Sequence, residues 1–183
     1  MLNSLIGIIA SSGGAAGGAT DYESIATVTL GSASSSISFS SIPSTYQHLQ
    51  IRALTANSSF PSTSAYLYLN SDTTLANYYQ HFLYGDGGSA AAGTGGNTAL
   101  NPLMGSGMST GPAATIIDLL DYQDTNKYKT IRLLNGYDTN GGGYVWFASN
   151  LWKNTAAVNT FTITAPVGSF NQYSSFALYG IKG

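Results

Sequence analysis

Apolar and polar residues alternate with a period of two through most of the chain, in short runs broken by Gly, Ser, Pro and Asn. Three such runs follow one another between residues 23 and 54. Ala26, Val28 and Leu30 share one face, with Ile25, Thr27 and Thr29 on the other. Ile37 and Phe39 oppose Ser38 and Ser40, and Leu49, Ile51 and Ala53 alternate with His48, Gln50, Arg52 and Leu54. Alternation of this kind places one residue set on each face of a pleated strand. A Ser-rich turn at 31–36 separates the first two runs, and Pro43, which cannot donate to a ladder, ends the second.

The same pattern continues downstream. Strands are expected over 65–70, 78–84, 114–121, 128–134, 143–149, 158–164 and 175–181, with a short edge strand at 100–104. A helical turn is possible near 75–79, and the Gly/Ala/Ser-rich stretch 85–96 reads as a long loop. No segment holds a 3.6-residue period over three turns. Many short strands with turn signals every eight to twelve residues predict an all-β fold: a jelly-roll-like antiparallel β-sandwich over residues 21–183.

The first 20 residues differ in kind. MLNSLIGIIA is apolar, and SSGGAAGGAT after it has the composition of a flexible tether. The apolar run is too short to cross a bilayer and lacks the basic start of a secretory signal. It is expected to form an extended docking arm. Leu2, Leu5, Ile6, Ile8 and Ile9 would bury in a groove of another subunit.

Composition narrows the function. Only 8% of residues are charged, and Ser, Thr, Gly, Asn and Ala take their place, against about 25% in ordinary domains. Such a polar, nearly uncharged exterior suits a protein covered by partners or by copies of itself. Six Lys+Arg and a net charge of −2 argue against nucleic-acid binding, which neutralises many phosphates. There is no cysteine, so disulfides and thiolate metal sites are excluded.

Candidate chemistry is thin. His48 and His81 have no converging carboxylate or nucleophile in any local motif. Asp118 and Asp121 lie close in sequence, but their odd spacing would aim them at opposite faces of a strand. Asp121, Asp124 and Asn126, or Asp138 and Asn140, could offer oxygen ligands, yet neither set has the spacing of a calcium loop; both read as turns in which Asp and Asn bond their own backbone. Lys127, Lys129 and Arg132 are expected to make local ion pairs. No enzyme activity, metal or cofactor is expected. Tyr79, Tyr144, Trp146 and Trp152 could stack on sugar rings if exposed; as strand residues they could equally fill the core.

Several stretches look familiar together: YESIATVT at 22–29, SSIPSTY at 40–46, HLQIR at 48–52, DYQDTNKYK at 121–129 and YSSFALYGIK at 173–182. From Tyr22 onward the chain resembles small virion structural proteins of tailed bacteriophages, especially of aquatic and cyanobacterial phages. That resemblance implies a structural component on the capsid or tail surface, decorating or cementing the particle. Its partners would be other virion proteins and copies of itself, with a trimer as the expected homo-oligomer. A tail-fibre module recognising host-surface glycans is the alternative. The resemblance supplies no catalytic residues.

Overall fold

The computed structural model describes residues 21–59, 64–96, 100–104 and 112–183. The docking-arm residues Leu2, Leu5, Ile6, Ile8 and Ile9 lie outside them. The described chain is an antiparallel β-sandwich of an eight-stranded and a four-stranded sheet. Its strands are β1 (Tyr22–Thr29), β2 (Ser36–Phe39), β3 (His48–Thr55), β4 (Ser64–Leu69), β5 (Tyr78–Gly85), β6 (Ala90–Gly96), β7 (Leu100–Met104), β8 (Ala113–Leu119), β9 (Lys129–Asp138), β10 (Gly143–Trp152), β11 (Phe161–Thr164) and β12 (Ser175–Ile181). A single 3-10 turn, Leu75–Asn77, precedes β5.

The large sheet runs β1-β12-β3-β8-β9-β10-β5-β6, and the small sheet runs β2-β11-β4-β7. Eight strands alternate between the sheets in chain order: β1, β3, β8 and β12 in the large one, β2, β4, β7 and β11 in the small one. The orders β1-β12-β3-β8 and β2-β11-β4-β7 nest the two ends of the chain around its middle, which is jelly-roll topology. Two insertions modify it. β5–β6 lies between β4 and β7, β9–β10 lies between β8 and β11, and together they extend the large sheet by four strands beyond β8.

The core lies between the sheets and is made by one residue set from each alternating strand. Leu49 and Ile51 of β3, Ile117 and Leu119 of β8, Ile131 and Leu133 of β9 and Phe176 and Leu178 of β12 meet Ile37 and Phe39 of β2, Leu67 and Leu69 of β4 and Phe161 and Ile163 of β11. Burying a side chain of this size stabilises by about 1.5–3 kcal/mol.

Three expectations change. The stretch 85–96 is not one long loop: β5 runs to Gly85, a tight turn follows, and β6 pairs with β5 from Ala90 to Gly96. Its Ala/Gly content hides it from β-propensity. The far end of the Phe82 ring lies over Gly93, where an added Cβ would come within 2.5 Å of it. Ile25 does not face away from Ala26, because the β1–β12 register shifts between Ser24 and Ala26 and both residues pack against the core. The connection expected at 150–154 is instead strand as far as Trp152.

Candidate functional site

The residues singled out for sugar contact are dispersed. Trp152 is 1% exposed, and its Nε1 donates to Asp72 Oδ2 at 2.7 Å. That indole is a core element and cannot stack on a sugar. Trp146 and Tyr144 sit on the inner face of β10, within an aromatic stack. Trp146 lies 4.1 Å from Phe82 and 5.8 Å from both Tyr84 and Tyr144, and Tyr84 and Tyr144 are 5.0 Å apart. Burial, with Tyr84 and Tyr137 beside it, pushes the Tyr144 hydroxyl up to about 12. Tyr79 faces the other side of the sheet, with the Lys153 ammonium 4.6 Å from its ring centroid. The four side chains form no common platform.

The polar candidates act locally. Asp124 Oδ1 accepts from the Asn126 N–H at 2.7 Å, and Asp138 Oδ1 from the Asn140 N–H at 2.7 Å, both as turn-closing bonds. Lys127 pairs with Asp121 at 2.5 Å and Asp124 at 3.3 Å. Those bonds from Lys127 hold Asp121 below its ordinary range, with burial opposing them. His48 Nδ1 accepts the Asp121 N–H at 2.9 Å. Asp118 accepts from Gln50 Nε2 at 2.7 Å. No group of three or more metal-ligating side chains is found among the described residues. Lys129 is no surface ion-pair partner: it is fully buried and donates to the backbone carbonyls of Asp124, Lys127 and Thr155. Burial lowers its ammonium pKa.

The outer face of the large sheet is a different matter. Outward positions of an antiparallel sheet are ordinarily polar. Here one register row reads Arg52, Ile116, Leu134, Phe147, Leu83 and Ala92 across β3-β8-β9-β10-β5-β6. The next row reads Leu54, Ala114, Gly136, Val145, Gly85 and Ala90. Of the ten exposed large hydrophobic side chains in the described residues, six lie in these two rows: Leu54, Leu83, Ile116, Leu134, Val145 and Phe147. They are 39–57% exposed. A large side chain half exposed leaves on the order of 100 Å² bare, so the six leave roughly 600 Å², the upper end for a monomer's largest patch.

The face is shaped as well as apolar. Leu54, Ile116, Leu134 and Val145 ring a hollow of about 570 Å³ floored by Ala114 and Gly136. A polar row closes one side: Gln50, Asp118, Arg132, Ser149, His81 and Thr94. At the β3 end of the first apolar row Arg52 lies over the rings of Tyr22 and Tyr179 at 5.2 and 5.3 Å and donates to Gln50 Oε1 at 2.8 Å. An apolar centre with a hydrogen-bonded polar rim is the anatomy of an association surface.

The alternation that makes this face is visible in each strand, but the face itself is not. Within its own strand Leu54 falls opposite Leu49, Ile51 and Ala53, and nothing in the pattern relates it to Leu134 in another strand. Only the strand order, which sets β3, β8, β9, β10 and β5 side by side, joins them into one patch. No protein-family model, curated protein or solved structure matches the chain.

Proposed function

We propose that this chain is a non-enzymatic structural component of a bacteriophage virion, a jelly-roll subunit that decorates or stabilises the capsid or tail by associating with copies of itself and with neighbouring virion proteins. The observation that carries this reading is the apolar, rimmed outer face of the large sheet. A sheet face with six large exposed hydrophobic side chains is unfavourable in water and is stabilised by a covering partner. The low charge of the chain agrees with a surface that is largely covered, and the resemblance of the segments from Tyr22 onward points to the particle as the place of assembly. The candidate polar side chains are occupied in turns and ion pairs, which agrees with a structural role.

The reading is tested on particles of the phage that encodes the chain. The protein is expected in purified particles at a fixed ratio to the major structural subunit. A chain lacking residues 1–10 is expected to fold but not to incorporate. Absence from purified particles, or normal incorporation of the shortened chain, contradicts the reading. The glycan-recognition alternative draws no support from Trp152, which is buried, or from Tyr79, Tyr144 and Trp146, which form no common platform.

A further inference from the structure

We infer that β6 is an association edge: two copies of the chain join by antiparallel pairing of β6 with the partner's β6, about a two-fold axis normal to the large sheet. This contact is separate from the outer face. It uses the backbone at the end of the sheet and leaves that face free for a neighbour.

An open sheet ends in two strands whose outer N–H and C=O groups lack a partner, and such edges recruit strands of other chains unless something blocks them. The sandwich has four edges: β1 and β6 in the large sheet, β2 and β7 in the small one. Three are blunted. β1 is bulged against β12 between Ser24 and Ala26, and its Glu23 pairs with Lys182. β2 is only four residues long. β7 is five residues long with Pro102, which has no N–H to offer, at its centre. β6 has none of these protections. It runs for seven residues, Ala90–Gly96, in unbroken register with β5. It contains no Pro, and no charged residue occurs between Asp86 and Asp118. Among the described residues no hydrogen bond reaches its outer edge.

Self-complementarity selects a second copy as the occupant. Pairing centred on Gly93 uses the whole strand. Ala90 then stands opposite the partner's Gly96, Ala91 opposite the partner's Gly95, Ala92 opposite the partner's Thr94, and Gly93 opposite its own equivalent. Opposite residues of an antiparallel pair share a face, with Cβ atoms about 5 Å apart. No side chain in β6 is larger than Thr and none is charged, so no pair clashes and no like charges meet. That is what a two-fold, isologous contact requires. A foreign strand would be selected by pockets for its side chains, and Ala, Gly and Thr form none.

The contact is small. Seven paired residues span about 24 Å and exchange roughly six to eight backbone hydrogen bonds. Reversible association at about 10–100 μM is expected of it. Its consequence is large, because it joins two eight-stranded sheets into one with both apolar outer faces on the same side. A neighbour that covers this face is then held at two points at once.

Sedimentation velocity of the full-length chain from about 10 to 300 μM tests the inference, a range that brackets the expected association. Leu134→Asp is present throughout, to suppress association through the outer face. Ala92 and Thr94 are exposed, and the pairing puts each opposite the other across the seam. In this background the chain is expected to dimerise as its concentration rises. Ala92→Lys with Thr94→Lys sets like charges opposite each other twice and should weaken the dimer at least about tenfold. Ala92→Lys with Thr94→Glu sets opposite charges across the same seam and should return the dimer to within about threefold of the starting affinity. A chain that stays monomeric over the whole range overturns the inference. So does a dimer unmoved by the two lysines, or one that the Lys/Glu pair weakens as much as the Lys/Lys pair. Because the outer face is suppressed in every sample, failure here leaves the reading of that face standing, and absence from particles leaves the β6 seam standing.

Discussion

Asp72 shows how one side chain ties several elements. Its carboxylate accepts from Trp152 Nε1 and Asn77 Nδ2, both at 2.7 Å, and from the Thr74 N–H at 2.9 Å. Its backbone carbonyl accepts from the Tyr78 hydroxyl at 2.7 Å. Burial alone would raise the Asp72 pKa, but these donors outweigh it and hold it below 3.8. A depressed folded pKa means that the unfolded chain takes the proton first. The stabilisation is therefore complete above about pH 4 and is lost as the pH falls through the folded value. Asp72→Ala is expected to cost about 2–3 kcal/mol at pH 7, because Trp152 loses its buried partner. It should also flatten the acid limb of a stability-against-pH curve followed by urea denaturation. Equal stability of mutant and parent at pH 7 would show that the Asp72–Trp152 bond contributes nothing net. No sequence signal marks this residue, since Asp72 and Trp152 are eighty positions apart and look like a turn residue and a candidate sugar platform.

At the scale of elements, alternation was legible wherever residues are β-branched, aromatic or Leu, as in β3, β8, β9 and β12. It failed where context replaces propensity. β6 is a strand because β5 supplies its ladder and because Gly93 leaves room for the Phe82 ring. Gly93→Val is expected to destabilise by about 1–3 kcal/mol through overpacking, despite the better β-propensity of Val. Thermal unfolding of Gly93→Val in the Phe82→Ala background checks this, since the penalty should largely vanish once the ring is gone. The bulge in β1 was hidden for a related reason: an extra residue is visible only in the register with β12. The outer face carries a prediction of its own. Leu134 is 48% exposed and lies on the outward set of β9, opposite the buried Ile131 and Leu133, so Leu134→Asp should shift folding stability by no more than about 0.5 kcal/mol. A large loss in a denaturant titration would mean that the face is structural and not a site of association.

For the whole molecule, period-two patterning and turn spacing were enough to anticipate a sandwich, because both follow from local chemistry. The partition into two sheets and the four-strand extension of one of them were not, because strand order is set by contacts far apart in sequence. The candidate surface depends on that order. β3, β8, β9, β10 and β5 become neighbours only in the folded sheet, and their outward residues then merge into a patch that no single strand announces. This patch, more than any polar cluster, decides the proposed role. Electron cryo-microscopy of particles of the proposed kind, purified from the source of the chain, tests that role most directly. The expected result is jelly-roll density at ordered positions, with the face of Leu54, Ile116, Leu134, Val145 and Phe147 covered by a neighbouring subunit. Particles without this density, or with it but with that face open to solvent, would contradict the account.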